Sequence, residues 1–149
     1  MTLTEQEIAH IRESMRWLQS EIERVAPKFY EDLFRRDPAL RAMFREDLTD
    51  QGMRFMSAIR VITDHLDAPD DLEREVALLA DGHAAMSINA AAYHTMEEAL
   101  IDTLRAGLGA RFNREMQLAW RGAFRQIGEA MLARGGQDPD LVSPVSPLN

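Results

Sequence analysis

The chain contains no cysteine, which excludes disulfides, thiolate metal sites and cysteine-ligated iron–sulfur clusters. Any metal must be held by histidine, carboxylate or tyrosine. Histidine itself is scarce, at four copies among 149 residues. Long apolar runs are also missing. Nothing approaches the ~20 residues of a membrane span, and the opening MTLTEQEIAH lacks the basic-then-apolar order of a secretory leader. The expected location is therefore the cytoplasm. Positive charge is in deficit, with 17 Lys and Arg against 25 Asp and Glu and a formal net charge of -8. A phosphate backbone or an anionic membrane needs the opposite field, so nucleic acid and lipid surfaces are excluded as partners. Phosphate-cradling glycine loops, a Gly-x-Ser-x-Gly elbow and a His-Glu-x-x-His pair are all lacking.

What is present is helical periodicity. The length suits one domain with a real core. Thr4 with Glu7 forms a capping box and Leu3 with Ile8 has hydrophobic-staple spacing, so a first helix is expected with the stripe Ile8, Ile11, Met15, Leu18 and Ile22. Pro27 suits the first turn of a second helix carrying Phe29, Tyr30, Leu33 and Phe34. Asp37-Pro38 restarts the chain as a short helix with Leu40, Met43 and Phe44. A longer helix follows with Gln51, Phe55, Ala58, Ile59 and Ile62, ended by the turn DHLDAPDD. Asp70 with Glu73 is expected to cap the next helix, on which Val76, Leu79 and His83 share a face. Asn89 opens a helix with Tyr93, Met96, Leu100 and Leu104 that closes near Gly107 and Gly109. Asn113 opens the last helix, with Met116, Trp120, Phe124, Ile127 and Met131. The pattern predicts an all-α domain of about seven helices over residues 1–135. The segment 136–149, with Pro and Ser and no period, reads as a flexible tail. Short pieces alternating with long helices favour irregular packing around a pocket over a four-helix bundle.

Acidic pairs such as Glu97-Glu98 and Asp70-Asp71 have the spacing of solvated helix faces or caps. His10, His65 and His94 fall on polar faces or in a turn. His83 differs. It stands in LADGHAAMSINAAAY, one turn after Leu79, with Gly82, Ala84 and Ala85 leaving room for something flat. A lone histidine on an apolar face is ordinarily a satisfied core residue. Here it is accompanied, in order, by Tyr30, Phe44, Gln51 and Phe55. The methionines Met53, Met56, Met86 and Met96 read as core or pocket lining.

In these residues the sequence resembles the globin family, specifically bacterial single-domain haemoglobins and the haem domains of flavohaemoglobins. KFYEDLFRRDPALRAMF is similar to their B and C helices, LADGHAAMSINAAAYHTMEEAL to their proximal segment, and Trp120 to the tryptophan frequent in their last helix. The resemblance implies a globin fold around haem b, with His83 as the iron ligand and Phe44, Arg54, Phe55, Leu79 and Tyr93 around the cofactor. It implies that Tyr30 and Gln51 are the distal hydrogen-bond donors. A single neutral imidazole leaves the opposite position open for a diatomic gas such as dioxygen, nitric oxide or carbon monoxide. The carbonyl near Leu79 would fix the ring tautomer.

Two departures bear on enzymatic turnover. Flavohaemoglobins support the proximal histidine with a tyrosine and a glutamate. Tyr93 matches the first, but the corresponding later region reads Gly136, Gln137, Asp138. Gly82 stands where the group usually has lysine. No reductase sequence follows before Asn149, so nitric oxide dioxygenase activity would need electrons from a separate reductase, and enzyme against carrier stays open. The competing expectations are a gas sensor and a haem-free globin-fold regulatory module. Monomer and homodimer are equally compatible with the sequence.

Overall fold

The computed structural model describes residues 3–43, 48–85 and 90–134, with side chains over 3–42, 52–79 and 91–133. Among these residues there is no strand. Six α-helices follow one another: α1 (Glu5–Leu18), α2 (Ile22–Arg36), α3 (Leu48–Asp64), α4 (Pro69–Ala85), α5 (Ala90–Leu108) and α6 (Arg114–Arg134). Short 3-10 turns at Gln19–Glu21, Pro38–Met43 and Gly109–Arg111 link them.

The first helix starts where its sequence says. Thr4 Oγ1 accepts from the Glu7 amide at 3.1 Å, and Glu7 Oε1 accepts from the Thr4 amide at 3.0 Å. Ile11, Met15 and Leu18 are buried at the three-and-four spacing of one helix face. The second helix departs from expectation. It begins at Ile22, and Pro27 lies inside it rather than in its first turn. A proline there forfeits the bond that its amide would give the carbonyl four residues earlier. Burial of Val25 and Ala26 just before the proline and of Phe29 just after it holds the helix together in spite of the loss. Ile22 accordingly belongs to α2 and not to α1.

Asp37 ends α2, its amide donating to the Leu33 carbonyl at 3.0 Å, while its carboxylate accepts from the Ala39 amide at 3.2 Å. The expected restart at Pro38 is therefore present, as a 3-10 turn. Pro69 takes the first position of α4, and the Ala68 carbonyl accepts from the Leu72 amide at 2.9 Å. Asp70 is thus inside the first turn and not the cap. The proline, with no amide to leave unsatisfied, fits that first position better. Asn89 lies outside the described residues. Asn113 opens α6 as expected, its side chain accepting from the Met116 amide at 2.9 Å.

The core gathers where α2 packs on α3 and α5, and α1 on α6. Gly52 lets α3 meet α2 at backbone distance: a Cβ there would lie 2.5 Å from the Ala26 carbonyl oxygen. Trp120 on α6 is buried and donates from Nε1 to Ser14 Oγ on α1 at 2.7 Å. The acidic pair on α5 is not a solvated face. Glu97 is 2% exposed and accepts from Arg121 Nη1 at 2.6 Å and from Arg125 Nε at 2.9 Å, both on α6. Arg121 also reaches Glu98 at 2.7 Å.

Candidate functional site

An apolar cleft with a cavity volume of about 70 Å³ lies among α3, α4, α5 and α6. The spacing of α3 turns Phe55, Ala58, Ile59 and Ile62 toward it, and α4 contributes Leu79. Tyr93 and Met96, three residues apart on α5, supply the third wall. The fourth is the stripe Phe124, Ile127 and Met131 of α6, with Gly128 among them. Among the described residues, no charged side chain lines this space. Gly128 faces the Tyr93 ring, and a Cβ on it would make an ordinary contact at 3.6 Å from Tyr93 Cδ1.

Behind Phe55 stands a cluster of aromatic rings from α2. Phe55 stacks on Phe29 with centroids 3.7 Å apart and planes at 9°. Tyr30 meets Phe29 edge-on at 4.9 Å, Phe34 at 5.8 Å and Phe55 at 6.4 Å. Tyr30 is buried, and that burial pushes its phenol pKa up to about 12. Burial raises Tyr93 as well. Both rings therefore keep their O–H protons through the physiological range and remain donors.

The structure thus brings together Phe55, Leu79 and Tyr93 on one cleft, with Tyr30 one ring removed from it. Arg54, the neighbour of Phe55, is exposed and does not line the cleft. Phe44 lies outside the described residues. Gln51 and His83 are placed by backbone only: Gln51 in α3 one turn before Phe55, His83 in α4 one turn after Leu79. Sequence reasoning did not assign Phe29 to the site, although its neighbour Tyr30 was singled out. The α6 wall was legible as a stripe but not as part of a pocket. Gly128 carried a usable signal, a glycine inside a long helix where alanine would be the better helix former.

A second depression, between α2 and α5, is lined by Lys28, Glu31, Asp32, Arg35 and Asp102. Its two aspartates are already engaged, Asp32 with Arg35 and Arg36, and Asp102 with Arg36 and Arg105. The apolar cleft is the better candidate, because its walls are apolar and aromatic.

Residues 27–131 match the family model described as Globin. The chain belongs to the globin family. Similar proteins include the flavohemoprotein of Bordetella pertussis, 25% identical to this globin over 109 residues, which is 71% of the chain and 27% of that protein. The flavohemoprotein of Vibrio cholerae is 24% identical over 137 residues, 90% of the chain and 35% of that protein. The globin therefore spans about a third or less of the length of these relatives. The resemblance read from the sequence is to this same group. Among the described residues, no helix of the globin is long and apolar enough to cross a membrane, and no three His or carboxylate side chains gather as a metal cage.

Proposed function

We propose that this globin binds haem b in the cleft between α3 and α4 and uses it to bind dioxygen and other diatomic gases reversibly. The observation that carries the reading is the convergence of Phe55, Leu79 and Tyr93 on one apolar cleft. An apolar, aromatic-walled space suits a flat macrocycle, and a haem would need only one strong ligand from the chain. When bound, the cofactor supplies an iron centre with one position open to a gas.

The remaining work falls to the chain. His83, on α4, would hold the iron, and the Leu79 carbonyl one turn earlier would accept its other ring N–H and fix the tautomer. Phe44, Phe55 and Tyr93 would pack on the macrocycle and exclude water. Arg54, exposed beside Phe55, would pair with a propionate. Tyr30 and Gln51 would donate hydrogen bonds to a ligand that carries negative charge, which would favour dioxygen over carbon monoxide. Supplied with electrons by a reductase, the same site would turn nitric oxide and dioxygen into nitrate. The names of the flavohemoprotein relatives support haem as the cofactor.

The deciding experiment is the visible spectrum of the protein loaded with haem, oxidised, reduced, and reduced with carbon monoxide. A strong Soret band that shifts with carbon monoxide and is lost in His83→Ala is the expected result. Failure to take up haem in stoichiometric amount would leave the cleft without this function.

A further inference from the structure

The corner that joins α3 to α4 is held from outside by a side chain of α1, Arg12. Arg12 sits in the middle of α1, beside Ile11, which is buried in the core. Its Nε donates to the Thr63 carbonyl at 3.3 Å and its Nη2 to the Asp64 carbonyl at 3.2 Å. The same guanidinium grips the Asp67 carboxylate with both forks, Nη2 to Oδ1 at 2.8 Å and Nη1 to Oδ2 at 3.2 Å. Thr63 and Asp64 are the last two residues of α3, whose final carbonyls have no partners within the helix. The last turn of α3 carries no basic residue of its own, so α1 supplies that charge. Asp67 is in the turn, two residues before Pro69 begins α4.

This matters because the corner joins the two helices that flank the cleft. Phe55 comes from α3 and Leu79 from α4, and position 83 lies one turn beyond Leu79. Direct packing between α3 and α4 is sparse, and α4 rests chiefly on α6. The turn's own backbone bonds are few, His65 to Ile62 and Ala68 to His65. α3 and α4 are therefore related mainly through the corner, where Arg12 acts, and through the contact of α4 with α6.

We propose that Arg12 is a positioning residue for the cofactor cleft: by fastening the α3–α4 corner to α1, it fixes how α4 presents Leu79 and position 83 to α3. The inference rests on the haem reading above for its functional consequence. Its structural content stands without the cofactor. Arginine is required because a planar fork can span two carbonyls and a carboxylate together, whereas lysine offers one compact point of charge.

The test compares wild type with Arg12→Ala, Arg12→Lys, Asp67→Ala and the double variant. Hydrogen exchange on the cofactor-free chain should show faster exchange over residues 65–79 in both Arg12 variants, with α5 and α6 unchanged. Transfer of haem from each loaded protein to excess apomyoglobin should speed up about two- to five-fold, the scale of a partly exposed ion pair. Arg12→Lys should resemble Arg12→Ala, and adding Asp67→Ala to Arg12→Ala should change little more. A lower melting temperature with unaltered exchange at the corner and unaltered haem transfer overturns the proposal, leaving Arg12 as a stabilising contact only. A wild type that takes up no haem overturns the functional reading instead, and the exchange comparison then decides the positioning role alone.

Discussion

Tyr30 and the glycines of the helix crossings show how much rests on single residues. A phenol is protonated at neutral pH in any case, and burial pushes Tyr30 further, up to about 12, so in the proposed site its O–H is available to donate. A hydrogen bond to a charged acceptor contributes about 1.5–3 kcal/mol, so Tyr30→Phe should speed dioxygen release roughly ten- to a hundred-fold. Stopped-flow displacement from the reduced, haem-loaded protein reads this directly, and an unchanged rate removes the hydroxyl from the distal role. Gly52 and Gly128 make a contrasting pair. Gly52→Ala drives a Cβ to 2.5 Å from a backbone oxygen, and forced overpacking of that kind costs about 1–3 kcal/mol. Gly128→Ala meets Tyr93 at an ordinary 3.6 Å and should be neutral or stabilising by up to about 1 kcal/mol through helix propensity. Urea midpoints of the two variants should therefore move in different directions, or one should not move at all.

At the scale of elements, the Glu97–Arg121–Arg125 cluster ties α5 to α6 beneath the cleft wall. Glu97→Leu removes a buried carboxylate but does not strand both cations. Arg121 keeps Glu98, and Arg125, 55% exposed, can turn to water. The expected loss is about 1–3 kcal/mol, below the ~3–5 kcal/mol of a pair whose surviving charge stays buried, and thermal unfolding measures it. Glu97 read as solvated because a charged pair usually is. A better signal was present: Glu97 follows Tyr93 by four residues, on the same helix face, and the partner helix carries arginines four residues apart. Pro27 misled in the opposite sense. Its local preference for a helix start lost to the burial of Val25 and Ala26, since tertiary packing outweighs propensity where the two compete.

For the whole molecule, titration sets the stability window. The hydrogen bond from Arg121 holds the Glu98 carboxyl below its usual range, and the hydrogen bond from Arg12 does the same for Asp67. A carboxylate depressed in the folded state leaves the unfolded chain binding more protons. Its stabilisation is complete above the unfolded pKa, about 4, and is lost as pH falls through the folded value. The raised phenols act at the other end. Tyr30 and Tyr93 contribute fully below the unfolded pKa of about 10, and that contribution fades as pH rises toward the folded values. Melting temperature should be flat between about pH 5 and 9 and fall on both sides. A loss of stability centred near neutrality would mean that a histidine dominates instead.

The sequence by itself determined the helical class, the capping box at Thr4, the helix start at Asn113 and the stripes that became the cleft walls, because these are encoded by neighbours within one or two turns. It also singled out Tyr30, Phe55, Leu79 and Tyr93, which the fold places on or beside one cleft. Only the tertiary structure decided that α2 runs through Pro27 and that Glu97 is buried between two arginines. Each of these depends on which helix lies opposite. The grip of Arg12 on Asp67 belongs to the same class: 55 residues separate the partners, and no local pattern relates them until α1 crosses the end of α3.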